Sequence, residues 1–409
     1  MSSKLKQRGK WSSKPAVPER LQLAAMGLES EFVLLVDDQP TRPEDVFGDP
    51  RSFIRGELMH RIGTSYHLPT GDAIYFDTGV IELATPVIEI ERGAPARAGR
   101  SLWESIRFVR QELNDWERRS GRSARLAGFS AHYNVSFERP GGGRGASQTV
   151  EKLALLLSYI LPVPVMLLAA NRRSTGVGVR PRGDRIEVTV DFTPSPALMI
   201  ATATIIVGIV RAIMRWASYD LAMLDRTDLP VLEDFAPIRH TTRHGWLARY
   251  TCFADNPFAC DVDAPVWRTR DGRQLSLRAI AGLTARHFWR EIREVSDPFT
   301  FRLIGSVLRG RAPSLLELAD RPPEYEDVGH LVSWDDLFSE RQLSRSRYER
   351  VIVRAIQGRR LRLGRETLTP TGMHGWSQVV FRRDRDGAPA ILPIDFLVEH
   401  LPNWEREAR

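Results

Sequence analysis

Polar and apolar residues alternate along residues 27–36. Glu29 and Glu31 fall on one side of a two-residue repeat, whereas Leu28 and Phe32 fall on the other. Successive side chains of a β-strand point to opposite faces, so this segment predicts a strand with one carboxylate-bearing face and one apolar face.

Other segments show the spacing of strands or of amphipathic helices. Within residues 102–118, Ile106, Val109 and Leu113 recur at helical intervals. Strands are predicted at residues 73–76, 81–90, 129–137 and 185–191, and helices at 102–118, 148–160 and 197–216. An arginine-rich loop is expected at residues 172–182. Antiparallel strands with interspersed helices favour an α+β fold.

The chain divides into three parts by composition. Residues 1–20 carry six basic side chains against Glu19 alone, with little apolar content, and are predicted to be a disordered basic tail. Residues 21–325 form the predicted larger domain. Residues 326–409, with a charged helix and a hairpin-like end, form the predicted smaller C-terminal domain. A chain of 409 residues is long enough for both domains.

The net charge of +7 lies mostly in the tail. The rest of the chain has no basic stripe interleaved with aromatic residues, so no nucleic-acid partner is expected. Residues 153–170 and 194–210 approach the length of a membrane span, but prolines and flanking arginines favour buried core segments, and no membrane partner is expected. Two cysteines and no secretory signal favour a cytoplasmic protein.

Basic residues outside the tail are almost all arginine, and Lys152 is the only lysine there. A GC-rich genome explains this bias most simply. An enzyme that joins carboxylates to lysines would also benefit from offering few lysines of its own. The sequence does not separate these two explanations.

Glutamates on predicted strands need an explanation, because an unpaired buried carboxylate is costly. A cation site supplies one, since hard cations such as magnesium take oxygen ligands and Mg-ATP needs several carboxylates around its phosphates. The candidates are Glu29, Glu31, Glu82, Glu89 and Glu187. Solvated strand faces, or ion pairs with the many arginines, are the alternative for each of them.

Two phrases resemble motifs of one protein family. Gly27-Leu-Glu-Ser-Glu-Phe resembles the Gly-x-Glu-x-Glu-Tyr opening of the Pup ligase and depupylase family. Ile74-Tyr-Phe-Asp-Thr-Gly-Val-Ile-Glu-Leu-Ala-Thr-Pro86 is similar to that family's Leu-Tyr-x-Asp-x-Gly-x-x-Pro-Glu-Tyr-Ala-Thr segment. Weaker similarities lie at His132-Tyr-Asn134 and at the strand 185–191 with the helix after it. The resemblance covers residues 26–216, with Phe32 in place of the motif's tyrosine and Glu187 in place of a histidine.

The resemblance implies a glutamine-synthetase-like catalytic domain, in which a curved, mostly antiparallel sheet is backed by helices, and a smaller C-terminal domain. It implies ATP and Mg²⁺ as cofactors and Asp77 as the catalytic carboxylate. The implied metal ligands are Glu29, Glu31, Glu82 and Glu187. His132 and Asn134 would line the cofactor site, although His132 taken alone could be a core histidine.

The implied activity is carboxylate–amine ligation, in which ATP phosphorylates a carboxylate and an amine attacks the acyl phosphate. Arginine suits phosphate oxygens, and the arginines in the matching stretch are Arg172, Arg173, Arg180, Arg182 and Arg185. A solvated loop is their alternative. The implied partners are a small protein modifier with a C-terminal carboxylate and a lysine-bearing acceptor. A hydrolase of the same fold and a non-catalytic nucleotide-binding homologue are the other two hypotheses.

Trp376 could stack on adenine, although a tryptophan side chain more often lies in the core.

Overall fold

A computed structural model describes residues 23–136, 148–240, 244–317 and 346–406. The predicted tail, residues 1–20, lies outside these ranges, as does the predicted domain boundary between residues 325 and 326. Within the described ranges, the chain forms a large antiparallel sheet backed by helices and a second, smaller sheet.

The large sheet has twelve strands. They are β1 (Ala25–Val36), β2 (Gln39–Thr41), β3 (Met59–Ile62), β4 (Ser65–His67), β5 (Ala73–Asp77), β6 (Val80–Ala84), β7 (Ile88–Glu89), β8 (Ala124–Ser136), β9 (Val177–Pro181), β10 (Arg185–Asp191), β11 (Ile238–Arg239) and β12 (Trp246–Ala248). The spatial order is β11-β12-β9-β10-β8-β1-β6-β5-β4-β3, and β2 and β7 pair with the two ends of β1. The predicted α+β class is confirmed.

Strand β1 is central because its two faces have different chemistry. Leu28, Phe32 and Leu34 are almost fully buried against the helices. Glu29 and Glu31 point to the opposite face, as the two-residue period predicts. β1 pairs along its whole length with β8, so its carboxylates lie in the middle of the sheet rather than at an edge.

Helices cover the apolar face of the sheet. They are α1 (Pro43–Phe47), α2 (Ala94–Ser120), α3 (Val150–Ile160), α4 (Pro162–Ala169), α5 (Pro196–Met214), α6 (Leu277–His287), α7 (Trp289–Val295) and α8 (Pro298–Val307), with α9 (Arg347–Ile356) and α10 (Ile394–Arg406) beside the smaller sheet. Helix α2 packs against α5 and β1. Gly99 permits the α2–α5 crossing, because a Cβ there would lie 2.4 Å from Cγ1 of Ile200.

The smaller sheet comes from the C-terminal part of the chain. A two-stranded ribbon, β13 (Trp267–Arg268) and β14 (Gln274–Leu275), precedes it. Its four strands pair in chain order: β15 (Leu361–Leu363), β16 (Glu366–His374), β17 (Gln378–Arg383) and β18 (Pro389–Pro393). Tyr348, Phe381 and Trp404 form its own apolar core together with residues of α9 and α10.

Polar contacts join the two sheets. Arg97 of α2 donates from Nε and Nη2 to Glu349 Oε1 of α9, at 2.8 and 2.7 Å, and both side chains are buried. The carboxylate of Glu89 accepts a hydrogen bond from the Tyr348 backbone N–H at 3.1 Å. Strand β3 lies against β16. Glu89 is therefore a contact between the two parts.

Three segments differ from or refine the sequence predictions. The predicted loop at residues 172–182 contains β9, a buried strand of the large sheet. The apolar stretch at 153–170 forms α3 and α4, which bend by 63° at their junction. Helix α5 is long and apolar enough to cross a membrane, and 83% of its most apolar window is buried inside the protein. Both apolar stretches belong to the core.

Lys152 lies in the first turn of α3. Its ammonium is 2.6 Å from Oδ1 of Asp220, and both side chains are partly exposed. Exposed ion pairs of this kind contribute little to stability. Lys152 is therefore accessible, although its amine is paired.

Candidate active site

Polar side chains of adjacent strands lie next to one another on the face of the large sheet opposite the helices. Glu31 of β1 faces Glu82 of β6, and Glu29 of β1 faces His132 of β8. Asn134 of β8 in turn faces Glu187 of β10. Cross-strand partners share a face of the sheet. Four adjacent strands therefore bring these residues together, although they are far apart in sequence.

Asp77 reaches the same face through a tight hairpin. Strands β5 and β6 are joined by Thr78 and Gly79, which have φ values of 48° and 97°. Two successive residues with positive φ are typical of the two-residue hairpin turn that matches strand twist. Thr78 is strained there because it has a Cβ. This turn fixes Asp77 at the end of β5, two residues after Tyr75 and on the same side of the strand.

The carboxylates are close enough to share a cation. Ligand atoms of Glu31, Asp77 and Glu82 all lie within 4.8 Å of one another, and so do those of Glu29, Glu82 and His132. Glu82 belongs to both groups. Carboxylate oxygens are the ligands that Mg²⁺ prefers. The donor set therefore fits a hard divalent cation.

Histidine and hydroxyl groups hold the glutamates in place. Nδ1 of His132 is 3.3 Å from Glu29 Oε2, and its Nε2 is 3.7 Å from Glu31 Oε1. The hydroxyl of Ser130 donates to Glu31 Oε2 at 2.5 Å. The hydroxyl of Tyr75 donates to Glu82. Each glutamate of the cluster thus has a polar neighbour that restricts its rotamer.

The pKa values reflect crowded negative charge. Burial and the neighbouring Glu29 raise the pKa of Glu82 to about 8. Burial would also raise the pKa of Glu29, but the hydrogen bond and charge of His132 outweigh it and lower that pKa. Burial would lower the pKa of His132, whereas the hydrogen bond to Glu29 and the surrounding carboxylates raise it. A bound cation would relieve this repulsion.

Glu187 occupies a different environment from the other glutamates. Its carboxylate lies 2.9 Å from Nη1 of Arg180 and 2.9 Å from Nε of Arg182. Its pairing with two guanidiniums distinguishes it from the Glu29, Glu31 and Glu82 cluster. Arg180 and Arg182, proposed from the sequence as phosphate-binding residues, pair here with a carboxylate of the protein itself.

A cavity of about 840 Å³ opens beside the cluster. Glu29, Asn134 and Arg185 line it from the large sheet, and His374 and Trp376 line it from the turn between β16 and β17. Drug-sized ligands occupy pockets of about 300–1,000 Å³. The cavity can therefore hold a ligand as large as a nucleotide, with carboxylates at one side and an aromatic ring at the other.

The remaining predicted residues divide between the cavity and the exterior. Nε of Arg185 donates to Asn134 Oδ1 at 2.8 Å, so this pair forms one wall. Arg172 and Arg173 are exposed. Nε of Arg172 donates to the backbone carbonyl of Leu316 at 2.9 Å. Neither Arg172 nor Arg173 lines the cavity.

Comparison with solved structures identifies a similar fold. The crystal structure of the complex between the prokaryotic ubiquitin-like protein Pup and its ligase PafA matches with 11% identity and a TM-score of 0.51, over 94% of this chain and 92% of that chain. The fold is Pup-ligase-like. A structure of the Pup ligase PafA in complex with ADP matches with 9% identity and a TM-score of 0.43, over 83% of this chain and 90% of that chain. No family model and no curated protein matches the sequence.

Within this Pup-ligase-like fold, three residues of the site were not assigned from the sequence. Tyr75 and Ser130 support Glu82 and Glu31, and their position could have been found from the same two-residue period. Arg61 of β3 lines the cavity with its guanidinium 4.9 Å from the ring of Trp376. No sequence pattern links Arg61 to Trp376, because the second sheet brings them together.

Proposed function

We propose that the protein is an ATP- and Mg²⁺-dependent carboxylate–amine ligase that activates a carboxylate as an acyl phosphate and joins it to an amine. The observation that carries this proposal is the convergence of Asp77, Glu31 and Glu82 within 4.8 Å of one another, with Glu29 next to them in the wall of a nucleotide-sized cavity. The Pup-ligase-like fold supports the same reaction class.

The glutamates would serve as cation ligands. Glu29, Glu31 and Glu82 present carboxylate oxygens on one rigid sheet face, and His132 and Tyr75 hold two of them by hydrogen bonds. When bound, Mg²⁺ with ATP supplies the transferable phosphoryl group and neutralises its charge. Glu187 would contribute indirectly, by placing Arg180 and Arg182 next to the cluster.

Asp77 is the proposed general base. A carboxylate at a strand end can accept a proton from an incoming amine, provided that it lies within hydrogen-bonding reach. The tight turn at Thr78 and Gly79 keeps Asp77 at the edge of the carboxylate cluster, where a reacting acyl group would lie. The proton leaves the amine as the new C–N bond forms, and inorganic phosphate departs from the acyl carbon.

The proposed carboxylate donor is a small protein modifier, and the proposed acceptor is a lysine-bearing protein. The PafA–Pup complex supports the first half of this proposal, because the partner named there is a ubiquitin-like protein. The proposed location is the cytoplasm. Cys252 and Cys260 are free thiols in support of a reducing compartment.

Hydroxylamine trapping tests the reaction without knowledge of the natural amine. The protein is incubated with Mg-ATP, hydroxylamine and either Pup or free glutamate as the acid. A ligase should release ADP and phosphate and form an acyl hydroxamate only when all components are present. ATP hydrolysis without hydroxamate, or cleavage of a Pup–protein amide without net ATP use, would contradict the proposal.

The substitution Asp77→Asn tests the role of the base. We expect turnover to fall by about 10²–10⁴-fold, while Mg-ATP affinity is retained. Asp38→Asn is the matched control, because Asp38 lies in the other hairpin turn with positive φ and pairs with Arg125 at the surface. If Asp77→Asn instead weakens Mg²⁺ binding and leaves the turnover of the saturated enzyme unchanged, Asp77 is a cation ligand and not the base.

A further inference from the structure

Arg61 lies in the cavity wall, where strand β3 of the large sheet meets the smaller sheet. It lies on β3, and its guanidinium is 4.9 Å from the centre of the Trp376 ring and 5.9 Å from that of Tyr75. Tyr75 is the residue that donates to Glu82 in the carboxylate cluster. Arg61 therefore connects the aromatic side of the cavity with its acidic side.

The pairing of Arg61 differs from that of the neighbouring arginines. Arg180 and Arg182 both form ion pairs with Glu187, and Arg185 lies 3.0 Å from Asp184. Arg61 donates from Nη1 to the hydroxyl of Ser65 at 3.2 Å, and its buried Nε has no hydrogen-bond partner. Within the described part of the chain, no carboxylate forms an ion pair with Arg61.

An unpaired guanidinium in a cavity wall has an energetic cost. Burial lowers the pKa of Arg61, although the neighbouring Tyr75, Glu29 and Glu82 oppose that effect. Arginine nevertheless keeps its charge in proteins. A partly desolvated charge without an anionic partner is unfavourable, and a ligand that brings its own anion removes that cost.

We infer that Arg61 binds a phosphate oxygen of the ligand. Glu29 and Glu82 would hold the cation, and the guanidinium of Arg61, whose planar fork matches phosphate oxygens, would bind the phosphate. Trp376, whose ring centre lies 4.9 Å from the Arg61 guanidinium, could stack on an attached ring. The inference rests on the proposed function only for the identity of the ligand as a nucleotide.

Binding of Mg-pyrophosphate and Mg-ADP, measured by calorimetry, tests this inference. Arg61→Gln should weaken both by about 10- to 100-fold, since a hydrogen bond to a charged group is lost. Arg61→Lys should bind with intermediate affinity, because the charge remains without the fork. Arg239→Gln is the matched control: Arg239 also stacks on a tryptophan, 4.7 Å from the Trp246 ring, but lies outside the cavity wall.

Thermal unfolding without ligand separates a binding role from a structural one. Arg61→Gln should unfold at the same temperature as the wild type or higher, because a charge without a carboxylate partner has been removed. A lower unfolding temperature together with unchanged ligand affinity would overturn the inference, and so would equal affinities of wild type and Arg61→Gln. If the wild type binds both ligands but forms no hydroxamate, the proposed ligase activity is contradicted. The ratio of the wild-type affinity to the Arg61→Gln affinity still decides the role of Arg61.

Discussion

Replacing Glu82 by Gln should stabilise the ligand-free protein while removing its response to magnesium. Glu82 is common to both groups of cation ligands and is only 4% exposed. Gln has the same shape and can still accept the hydrogen bond from Tyr75. The substitution therefore removes charge with little change in packing.

The expected magnitude follows from the separations in the cluster. Two unit charges at most 4.8 Å apart repel by at least about 3 kcal/mol at an effective dielectric constant of about 20. The repulsion is fully present only above the pKa of about 8 that burial and Glu29 give Glu82, because the protonated carboxyl is neutral. After allowance for solvent screening, we expect Glu82→Gln to stabilise the ligand-free protein by about 1–3 kcal/mol at about pH 9, and by less at neutral pH.

Thermal unfolding with and without Mg-ATP measures both effects. Wild-type protein should be stabilised by Mg-ATP as mass action requires, whereas Glu82→Gln should start higher and gain little. Glu104→Gln is the control, because Glu104 forms a partly exposed ion pair with Arg100 on α2, and its loss should cost about 1 kcal/mol or less. If Glu82→Gln destabilises the ligand-free protein, or keeps the full Mg-ATP shift, the carboxylates do not form a cation site.

Two predictions concern the contacts that hold the site together. Glu349→Gln should cost about 3–5 kcal/mol in chemical denaturation, because it leaves Arg97 buried without a charge partner; a loss below about 1 kcal/mol would contradict this. Burial raises the pKa of Asp72 to about 7 from its ordinary 3.8, so its contribution to stability is complete below about pH 3.8 and is lost as the pH rises through about 7. Asp72→Asn, which can still accept from Ser101, should therefore flatten the stability profile between about pH 4 and pH 8, and an unchanged slope would show that Asp72 is not the titrating group.

The sequence predicted the strands whose side chains alternate clearly. The strand expected at residues 27–36 is β1 (Ala25–Val36), and the strand expected at 185–191 is β10 (Arg185–Asp191). Strand β9 was missed because it lies within the segment 172–182, which was interpreted as an arginine-rich loop. Gly178 is required by close packing, since a Cβ there would lie 2.3 Å from the hydroxyl of Thr189 on β10.

The candidate site was predictable only where it depends on one strand or one hairpin. Two-residue spacing places Glu29 and Glu31 on one face, and the hairpin places Asp77 near Glu82. The spacing along a single strand cannot show that Glu187 pairs with Arg180 and Arg182, because that pairing depends on how β9 and β10 align. The role of Arg61 could not be predicted from the sequence for a similar reason, since its environment depends on a turn more than 300 residues later in the chain.

The single lysine of α3 has a practical consequence for mapping partners. The lysines of the chain lie at positions 4, 6, 10, 14 and 152. Within residues 21–409, amine-reactive cross-linkers can therefore attach only to Lys152. A cross-linked peptide from residues 21–409 would therefore identify Lys152 as the attachment site. Lowering the pH or adding salt would loosen the pair with Asp220 and change the labelling yield at that one site.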